Sequence, residues 1–452
     1  MNGGKGWLAV IIRLMIPILD YQSEAGQQAV ENLLAGLCLN AADIALTRGK
    51  LAAATEAVRK IMADVAERGD AAVVDANRQF DDPNFTADQL RVSVQEMREA
   101  GSRVPAEQLN ALRRSIAQVR EYQLWIMPKA PKPLVRAGVE LGLRFTPLDS
   151  AGLYVPGGHA AYPSSLIMLA APAQVAGVKR IVACTPPSKY GRSDLFLAAA
   201  HELGLSEVYR AGGAAIAAMA FGTQTIPKVD KIVGPGNTYV QLAKRLLAGA
   251  VGVDGFLGPS EIVIVADETG RAEFIAADML AQAEHDPGSA FLLTSSMNIA
   301  RGVQEQINLQ ILQRQRRQAI EQGLRQRSAI VFDPSLNRLV ALANRFAAEH
   351  VNLQVADEAF VLDRLVHGGA VFVGPYSAVA AGDYVAGPSH CLPTNTTARF
   401  SSGISVYEFL KRSSVVRYTR EGLVNDMPAI VSLAEAEHLD AHAQSVRVRI
   451  SG

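Results

Sequence analysis

Cysteine is scarce in this chain of 452 residues, which contains three. Cys38, Cys184 and Cys391 lie far apart and none belongs to a CxxC pair. This spacing argues against a disulfide scaffold and against a thiolate zinc site. A reducing compartment suits such a chain, so we expect it in the cytoplasm.

An excess of charge of either sign is also lacking, because 44 Lys and Arg residues balance 44 Asp and Glu residues. No net field therefore favours nucleic acid or an anionic membrane surface, and we expect neither partner. A small molecule is the expected partner. With 49% hydrophobic and 19% charged residues, the composition is typical of a folded α/β protein, and the length predicts two or three domains.

Long apolar runs are missing too. The stretch from Trp7 to Leu19 is apolar, but Arg13 and Pro17 interrupt it and no small-residue cleavage site follows. We expect neither a signal peptide nor a membrane anchor there. We treat residues 1–22 as an N-terminal extension, with Met15 as an alternative start.

The order of patterns along the chain predicts an α/β fold with two Rossmann-like parallel-sheet domains, an N-terminal helical lead-in and a small helical C-terminal piece. Helical spacing runs over residues 51–80 and about 88–123. Short β-branched runs then alternate with amphipathic helices. The predicted strands are 180–184, 231–233, 261–266, 290–294, 329–332 and 370–373, and the predicted helices are 164–176, 237–247, 272–283, 336–348 and 421–437.

Two side-chain pairs are candidates for chemistry. Gln282 and His285 lie three residues apart at a helix end, so an amide oxygen and an imidazole share one face, which suits either a metal ion or a helix cap. Glu349 and His350 lie at a helix-to-strand junction and pair an acid with a base, which suits proton transfer but also describes an ordinary surface pair.

Further candidates lie in loops. Asp383 and His390 belong to the glycine-punctuated segment 382–390, where Asp383 would ligate a metal or cap a turn. Tyr154-Val155-Pro156-Gly157-Gly158 and Gly234-Pro235-Gly236-Asn237 join strand-like to helical runs and suit phosphate binding or tight turns. Neither is a GxGxxG fingerprint. No GxSxG surrounds Ser260, which argues against a catalytic serine.

Taken together, these segments resemble the histidinol dehydrogenase family over nearly the whole chain. The matching blocks are YVPGG, YPSSLIMLAAPAQVAGVKRIV, KVDKIVGPGN, GPSE, AQAEHDP, AAEHVNLQV, GDYVAGPSHCLPT, ARFSSGISVYEFLKR and HLDAH. The resemblance implies oxidation of L-histidinol through L-histidinal to L-histidine with two NAD and one zinc per subunit. It also implies a homodimer whose C-terminal segment acts in the partner's site.

Residue by residue, the resemblance implies a site of four groups. The implied zinc ligands are Gln282, His285, Asp383 and His442; the acid–base pair is Glu349 and His350; the further substrate contacts are Ser260, His390 and Glu437; the cofactor contacts are Tyr154 and Asn237. The domains expected on this basis are 23–150 with 262–404 as the metal and catalytic domain, 151–261 as the NAD domain, and 405–452 as the dimerisation segment.

Two departures from the family pattern leave room for other functions. Ala211-Gly212-Gly213-Ala214-Ala215 lacks the glutamine of the family's GGAQA, and Asp254-Gly255-Phe256-Leu257 precedes GPSE. A paralogue that oxidises another small polar alcohol, such as a dihydroxypropane sulfonate, is one alternative. A zinc hydrolase that uses Glu349 and water is another, and a non-catalytic paralogue is a third.

Overall fold

The computed structural model describes residues 16–39, 41–158, 160–285 and 287–451. Most of the apolar N-terminal run, including Met15, lies outside these residues. Within them, no helix is long and apolar enough to cross a membrane.

The fold contains fifteen strands and eighteen α-helices among the described residues. The strands are β1 (Ile18–Asp20), β2 (Arg91–Val92), β3 (Leu134–Arg136), β4 (Val139–Pro147), β5 (Ser150–Tyr154), β6 (Arg180–Thr185), β7 (Glu207–Arg210), β8 (Lys231–Val233), β9 (Gly252–Val253), β10 (Ser260–Ala266), β11 (Gly288–Thr294), β12 (Ala329–Phe332), β13 (His350–Gln354), β14 (Ala370–Val373) and β15 (Leu410–Tyr418). The helices are α1 (Glu24–Leu37), α2 (Ala41–Leu46), α3 (Lys50–Arg68), α4 (Asp70–Phe80), α5 (Val94–Arg103), α6 (Ala106–Trp125), α7 (Pro163–Ala176), α8 (Asp194–Glu202), α9 (Ala215–Phe221), α10 (Thr238–Leu247), α11 (Ala272–Ala283), α12 (Met297–Gln310), α13 (Arg317–Arg327), α14 (Leu336–Phe346), α15 (Glu358–Leu362), α16 (Val379–Tyr384), α17 (Arg420–Ala436) and α18 (Asp440–Ile450).

Two six-stranded sheets share one strand order. Sheet 1 runs β2-β7-β6-β5-β8-β9 and sheet 2 runs β1-β12-β11-β10-β13-β14. In each sheet the five consecutive strands are parallel and follow the order 3-2-1-4-5, with a strand from the N-terminal part added at one edge. This is the order of a dinucleotide-binding sheet, and the predicted pair of parallel α/β units is confirmed.

The cores explain why these runs form strands. The strands β11 and β13 are buried along their whole length, and β10 is buried from its second residue on, as expected when helices cover both faces of a parallel sheet. Helix α7 is buried almost all round, because it lies between β5 and β6 and also contacts α6 and α8. The sheets are therefore closed layers, and ligands can reach them only at the strand ends.

The N-terminal helices do not all pack on the sheet expected for them, since residues 23–150 were expected to form one domain with residues 262–404. Residues of α3 and α4 share a core with β7, α9 and α10 of sheet 1, and α5 and α6 share a core with α7 and α8. Within the described lead-in, Ile16, β1 and α1 pack on sheet 2. The region 50–125 therefore belongs with the sheet of residues 150–253, because its apolar faces cover that sheet.

The lead-in also contains breaks that the periodicity did not predict. Gly69 adopts a left-handed φ of 58° and separates α3 from α4. Strand β2 and the start of α5, capped by Ser93, interrupt the expected helix 88–123. A third, antiparallel sheet β15-β4-β3 was not predicted, and it carries the segment that leads to α17 and α18.

Candidate active site

A deep cleft of about 970 Å³ opens between the two large sheets. From sheet 1 it is lined by residues at the carboxyl ends of strands, including Tyr154, Gly213 and Asn237; from sheet 2 it is lined by Ser260 and His350, the first residues of β10 and β13. We call these walls the sheet 1 half and the sheet 2 half. The cleft thus joins the carboxyl edge of one sheet to the amino edge of the other.

Glu349 and His350 lie deep in the sheet 2 half. Helix α14 ends at Phe346 and β13 begins at His350, which confirms the predicted helix-to-strand junction. The two residues are 5% and 4% exposed, so they do not form an ordinary surface pair. His350 Nδ1 lies 3.6 Å from Glu349 Oε2 and has no hydrogen-bond partner, and His350 Nε2 lies 3.9 Å from Asp383 Oδ1.

Burial decides the charge of this pair. It lowers the pKa of His350 to about 3, so the imidazole is neutral at ordinary pH and can accept a proton. Burial, and then the neighbouring carboxyl of Glu261, raise the pKa of Glu349 well above its usual value, while the Ser260 hydroxyl opposes the shift. The pair is therefore a neutral base beside a weakly acidic carboxyl, and not a charged ion pair.

Asp383 and His285 face each other across the same half. Burial raises the pKa of Asp383 to about 6, and the charge of His285 opposes this shift. Asp383 lies in the short helix α16 and not in the open loop that was expected, because the segment from Val379 forms a helical turn first. His285 follows α11 and remains solvent-accessible within the cleft.

Gln282 completes the group expected to hold a metal from this subunit. It is 3% exposed, and its side-chain Nε2 is buried without a hydrogen-bond partner. Across the part of the chain that the structure describes, no three His, Cys, Asp or Glu side chains are placed to hold a metal ion together. Gln282, His285 and Asp383 supply two such residues and one amide, so the expected set needs a further ligand.

His390 lines the cleft with both ring nitrogens engaged. Nδ1 lies 2.7 Å from the Asp383 carbonyl oxygen, and Nε2 lies 3.0 Å from Ser165 Oγ. A carbonyl only accepts, so Nδ1 carries the proton and Nε2 accepts from the Ser165 hydroxyl. Burial lowers the pKa of His390, which favours this neutral form.

Glu437 and His442 lie elsewhere. Both are exposed, Glu437 directly after α17 and His442 in α18, and neither lines this subunit's cleft. The two helices pack mainly on each other and on β15. Within one subunit, six of the nine residues expected around the metal and substrate therefore line the cleft, and Gln282 is buried at the end of α11.

Sequence reasoning missed Glu261, which follows Ser260 in β10. Its carboxyl is 2% exposed with Oε1 unpartnered, and its backbone N–H donates to Glu349 Oε2 at 3.1 Å. Burial raises its pKa to about 8, while the backbone N–H groups of Thr396 and Asn395 hold the pKa down. Those two residues have φ values of 64° and 57°, so a strained concave loop directs their N–H groups at the carboxyl. The sequence contained one signal for this role of Glu261, which is a carboxylate at the start of an otherwise apolar strand.

The sheet 1 half is built mainly from backbone. Tyr154 ends β5, is 5% exposed, and keeps its proton because burial raises its pKa. Asn237 lines the cleft, and its Oδ1 caps α10 by accepting from the N–H groups of Tyr239 and Val240 at 3.0 and 3.2 Å. Ala214 is buried and offers no polar group.

A buried ion pair holds the second loop of this half. Lys244 bonds to Asp254, with the two side chains 4% and 0% exposed. Asp254 Oδ2 accepts from the Gly234 N–H at 2.7 Å, and Lys244 Nζ donates to the Gly234 carbonyl at 3.0 Å. The segment 254–257, which departs from the family pattern, thus fixes the loop 234–237.

A sheet with dinucleotide-binding strand order that faces a buried carboxyl and a neutral imidazole defines an α/β oxidoreductase. The family model for histidinol dehydrogenase matches residues 46–450. The histidinol dehydrogenase of Geobacillus kaustophilus is 47% identical over 403 residues, which cover 87% of this chain and 93% of that protein. The enzyme of a Synechococcus strain is 46% identical over 395 residues, covering 87% and 91%.

A solved structure agrees. The crystal structure of histidinol dehydrogenase from Elizabethkingia anophelis superposes with a TM-score of 0.87 at 34% identity, covering 94% of this chain and 96% of that chain. The chain belongs to the histidinol dehydrogenase family.

Proposed function

We propose that the chain oxidises L-histidinol through L-histidinal to L-histidine with two NAD, as a zinc-dependent homodimer in the cytoplasm. The buried pair Glu349 and His350, placed between a dinucleotide-type sheet edge and a potential metal site in a chain of this family, is the observation that carries the proposal. The cysteines, which are free in the structure, support a reducing compartment.

His350 serves the first oxidation. Its neutral imidazole takes the proton of the substrate hydroxyl while the hydride leaves the alcohol carbon for NAD, which yields aldehyde and NADH. A pKa lowered to about 3 makes it a weak base when the cleft is empty. The nearby carboxylate of Asp383, 3.9 Å from Nε2, stabilises the imidazolium that forms.

Glu349 serves the second oxidation. After it gives its proton to solvent, its carboxylate takes a proton from water as the water oxygen attacks the aldehyde carbon. The resulting hydrate anion then gives a second hydride to NAD, which yields the carboxylic acid and NADH. Its raised pKa makes the ionised form a strong proton acceptor. Ser260 lies beside it and orients the carboxylate.

Gln282, His285 and Asp383 would hold zinc together with His442 of a second copy. Gln282, buried at the end of α11, and the proximity of Asp383 and His285 fit an oxygen and nitrogen donor set. When bound, zinc supplies a fixed attachment point for the amine and imidazole of the substrate. His390 and the second copy's Glu437 complete the substrate pocket.

The C-terminal segment supports the dimer. Leu433, Leu439 and Val448 are 65%, 41% and 55% exposed, which leaves α17 and α18 with apolar surface that a second copy would cover. An arm of this kind would carry Glu437 and His442 into the partner's cleft.

Substrate identity is tested by NADH formation with added zinc from L-histidinol, simple amino alcohols and a dihydroxypropane sulfonate. We expect L-histidinol to react fastest. NADH from the sulfonate but not from L-histidinol would overturn the proposal in favour of a paralogue, and the absence of NADH with every alcohol would favour a hydrolase.

The trans arrangement is tested by mixing Glu349→Gln and His442→Ala, two variants that should not form L-histidine, and by measuring the formation of L-histidine. Random exchange of subunits makes half of the dimers mixed, and each mixed dimer has one intact site, so about a quarter of the activity returns. If His442 acted within its own subunit, mixing would restore nothing.

A further inference from the structure

Asp81 is an acidic group of the sheet 1 half that the proposed reaction does not use. It follows α4, lines the cleft, and its Oδ2 is buried without a hydrogen-bond partner. A buried carboxylate oxygen without a donor is costly, so such an oxygen indicates a missing partner. The cleft beside it is where a ligand would supply that partner.

A rigid frame holds Asp81 in place. The buried Asn77, one turn earlier on α4, donates to the Arg210 carbonyl at 2.8 Å and accepts from the Gly212 N–H at 3.0 Å. Asp82 pairs with Arg192 at 2.6 Å. The lack of a side chain at Gly212 makes space for the Asp81 carboxylate, because a Cβ there would lie 2.2 Å from Asp81 Oδ2. The end of α4 is thereby fixed against the end of β7.

No lysine or arginine neutralises this carboxylate within the cleft. Among the described residues that line it, Arg316 is the one such side chain, and its charge acts on Tyr162, which precedes α7, and on His285 of the sheet 2 half. Burial raises the pKa of Asp81 to about 6, so it is ionised above that pH. Its charge also raises the pKa of Tyr154, which places the phenol in its neighbourhood.

The strand order of sheet 1 indicates which part of a dinucleotide reaches Asp81. In a 3-2-1-4-5 sheet the dinucleotide crosses the crevice between strands 1 and 4, here β5 and β8. The reacting ring must lie near Glu349 and His350 in the sheet 2 half. The adenosine end then extends over β6 and β7, where Asp81 lies beside Gly212.

We propose that Asp81 accepts hydrogen bonds from the 2′- and 3′-hydroxyls of the adenosine ribose, and that its charge excludes the 2′-phosphate of NADP. The carboxylate geometry suits a vicinal diol, and a phosphate would meet an uncompensated negative charge. This inference rests on the proposed use of NAD.

The test compares the affinities of NAD, 2′-deoxy-NAD and NADP for the full-length zinc-supplemented protein by calorimetry, together with the KM of each cofactor. We expect the unaltered chain to bind NAD about tenfold more tightly than the other two. Asp81→Asn should weaken NAD about tenfold and abolish the preference over 2′-deoxy-NAD. Asp81→Glu should retain the exclusion of NADP, and the exposed Asp88→Asn should change nothing.

Equal affinities for NAD and 2′-deoxy-NAD in the unaltered chain would overturn the inference, as would equal losses for all three cofactors in Asp81→Asn. If Asp81→Asn does not fold, the comparison of cofactors on the unaltered chain still decides. Failure of the unaltered chain to bind or reduce any of the three cofactors would instead overturn the proposed function.

Discussion

The two halves of the cleft differ in what builds them. The sheet 2 half presents titratable side chains at the amino ends of β10 and β13, while the sheet 1 half presents mainly backbone and glycine at the carboxyl ends of β5, β7 and β8. Ligand sites of open α/β sheets ordinarily lie at carboxyl ends. The sheet 2 half departs from this rule, because a second sheet closes over its amino edge and buries Glu349 and His350.

We expect side chains of the sheet 2 half to carry out proton transfer, and the backbone of the sheet 1 half to shape the cofactor site. A change in the sheet 2 half should remove turnover while the fold remains, because the proton-transfer groups are side chains. A change in the sheet 1 half should disturb the loop that carries the cofactor, because its geometry depends on a few buried contacts. Substitutions in the two halves and outside them, taken from the largest expected effect to the smallest, test this difference between the halves.

The largest expected effect is on Glu349. In Glu349→Gln the oxidation of L-histidinal should slow about 10²- to 10⁴-fold, the usual contribution of a general base, while oxidation of L-histidinol to the aldehyde slows much less. Rates of the two half-reactions, each started from its own substrate, check this. His350→Gln is the matched variant and should slow the first half-reaction. Equal losses in both halves for Glu349→Gln would contradict the assignment.

The buried ion pair should dominate stability in the sheet 1 half. Lys244→Met leaves Asp254 buried without its cation, and we expect a loss of about 3–5 kcal/mol in the free energy of unfolding. Urea unfolding measures this loss. The double variant Lys244→Met with Asp254→Asn should recover part of it; a double variant no more stable than the single one would show that the pair does not hold the loop 234–237.

Glu261 should make stability depend on pH. Its folded pKa of about 8 exceeds the ordinary 4.5, so the native state holds a proton that the unfolded chain releases. The native state therefore loses stability as pH rises from 4.5 towards 8, by about 1.4 kcal/mol per unit of pKa shift. Glu261→Gln should lack this loss. Unfolding free energies at about pH 5 and about pH 8 compare the two; parallel profiles would refute the shift.

The smallest effect is expected far from either half. Arg103 and Asp194 pair at 2.6 Å with side chains 53% and 41% exposed. Solvent screens such pairs, so Arg103→Ala should lower the free energy of unfolding only slightly and leave turnover unchanged. A marked loss of turnover in this variant would mean that the two halves do not account for function on their own.

Much of the architecture of the two large sheets was predictable. Their strands include short apolar runs such as 261–266 and 329–332, and each large sheet is formed mainly by strands that follow one another along the chain. The third sheet, β15-β4-β3, was not predictable, since β4 pairs with β15 more than two hundred residues later and the sequence of neither strand indicates its partner. The pair Glu349 and His350 was predictable by resemblance. Its burial, the Glu261 contact and the Lys244–Asp254 pair depend on side chains from separate elements, which local spacing does not reveal.

The central claim is that one site carries out two successive oxidations. Its most direct test is the amount of NADH formed per L-histidinol consumed by the zinc-supplemented enzyme, with the product identified. The account predicts two NADH and L-histidine. One NADH with accumulation of L-histidinal would contradict the role of Glu349, and no NADH would contradict the proposed function as a whole.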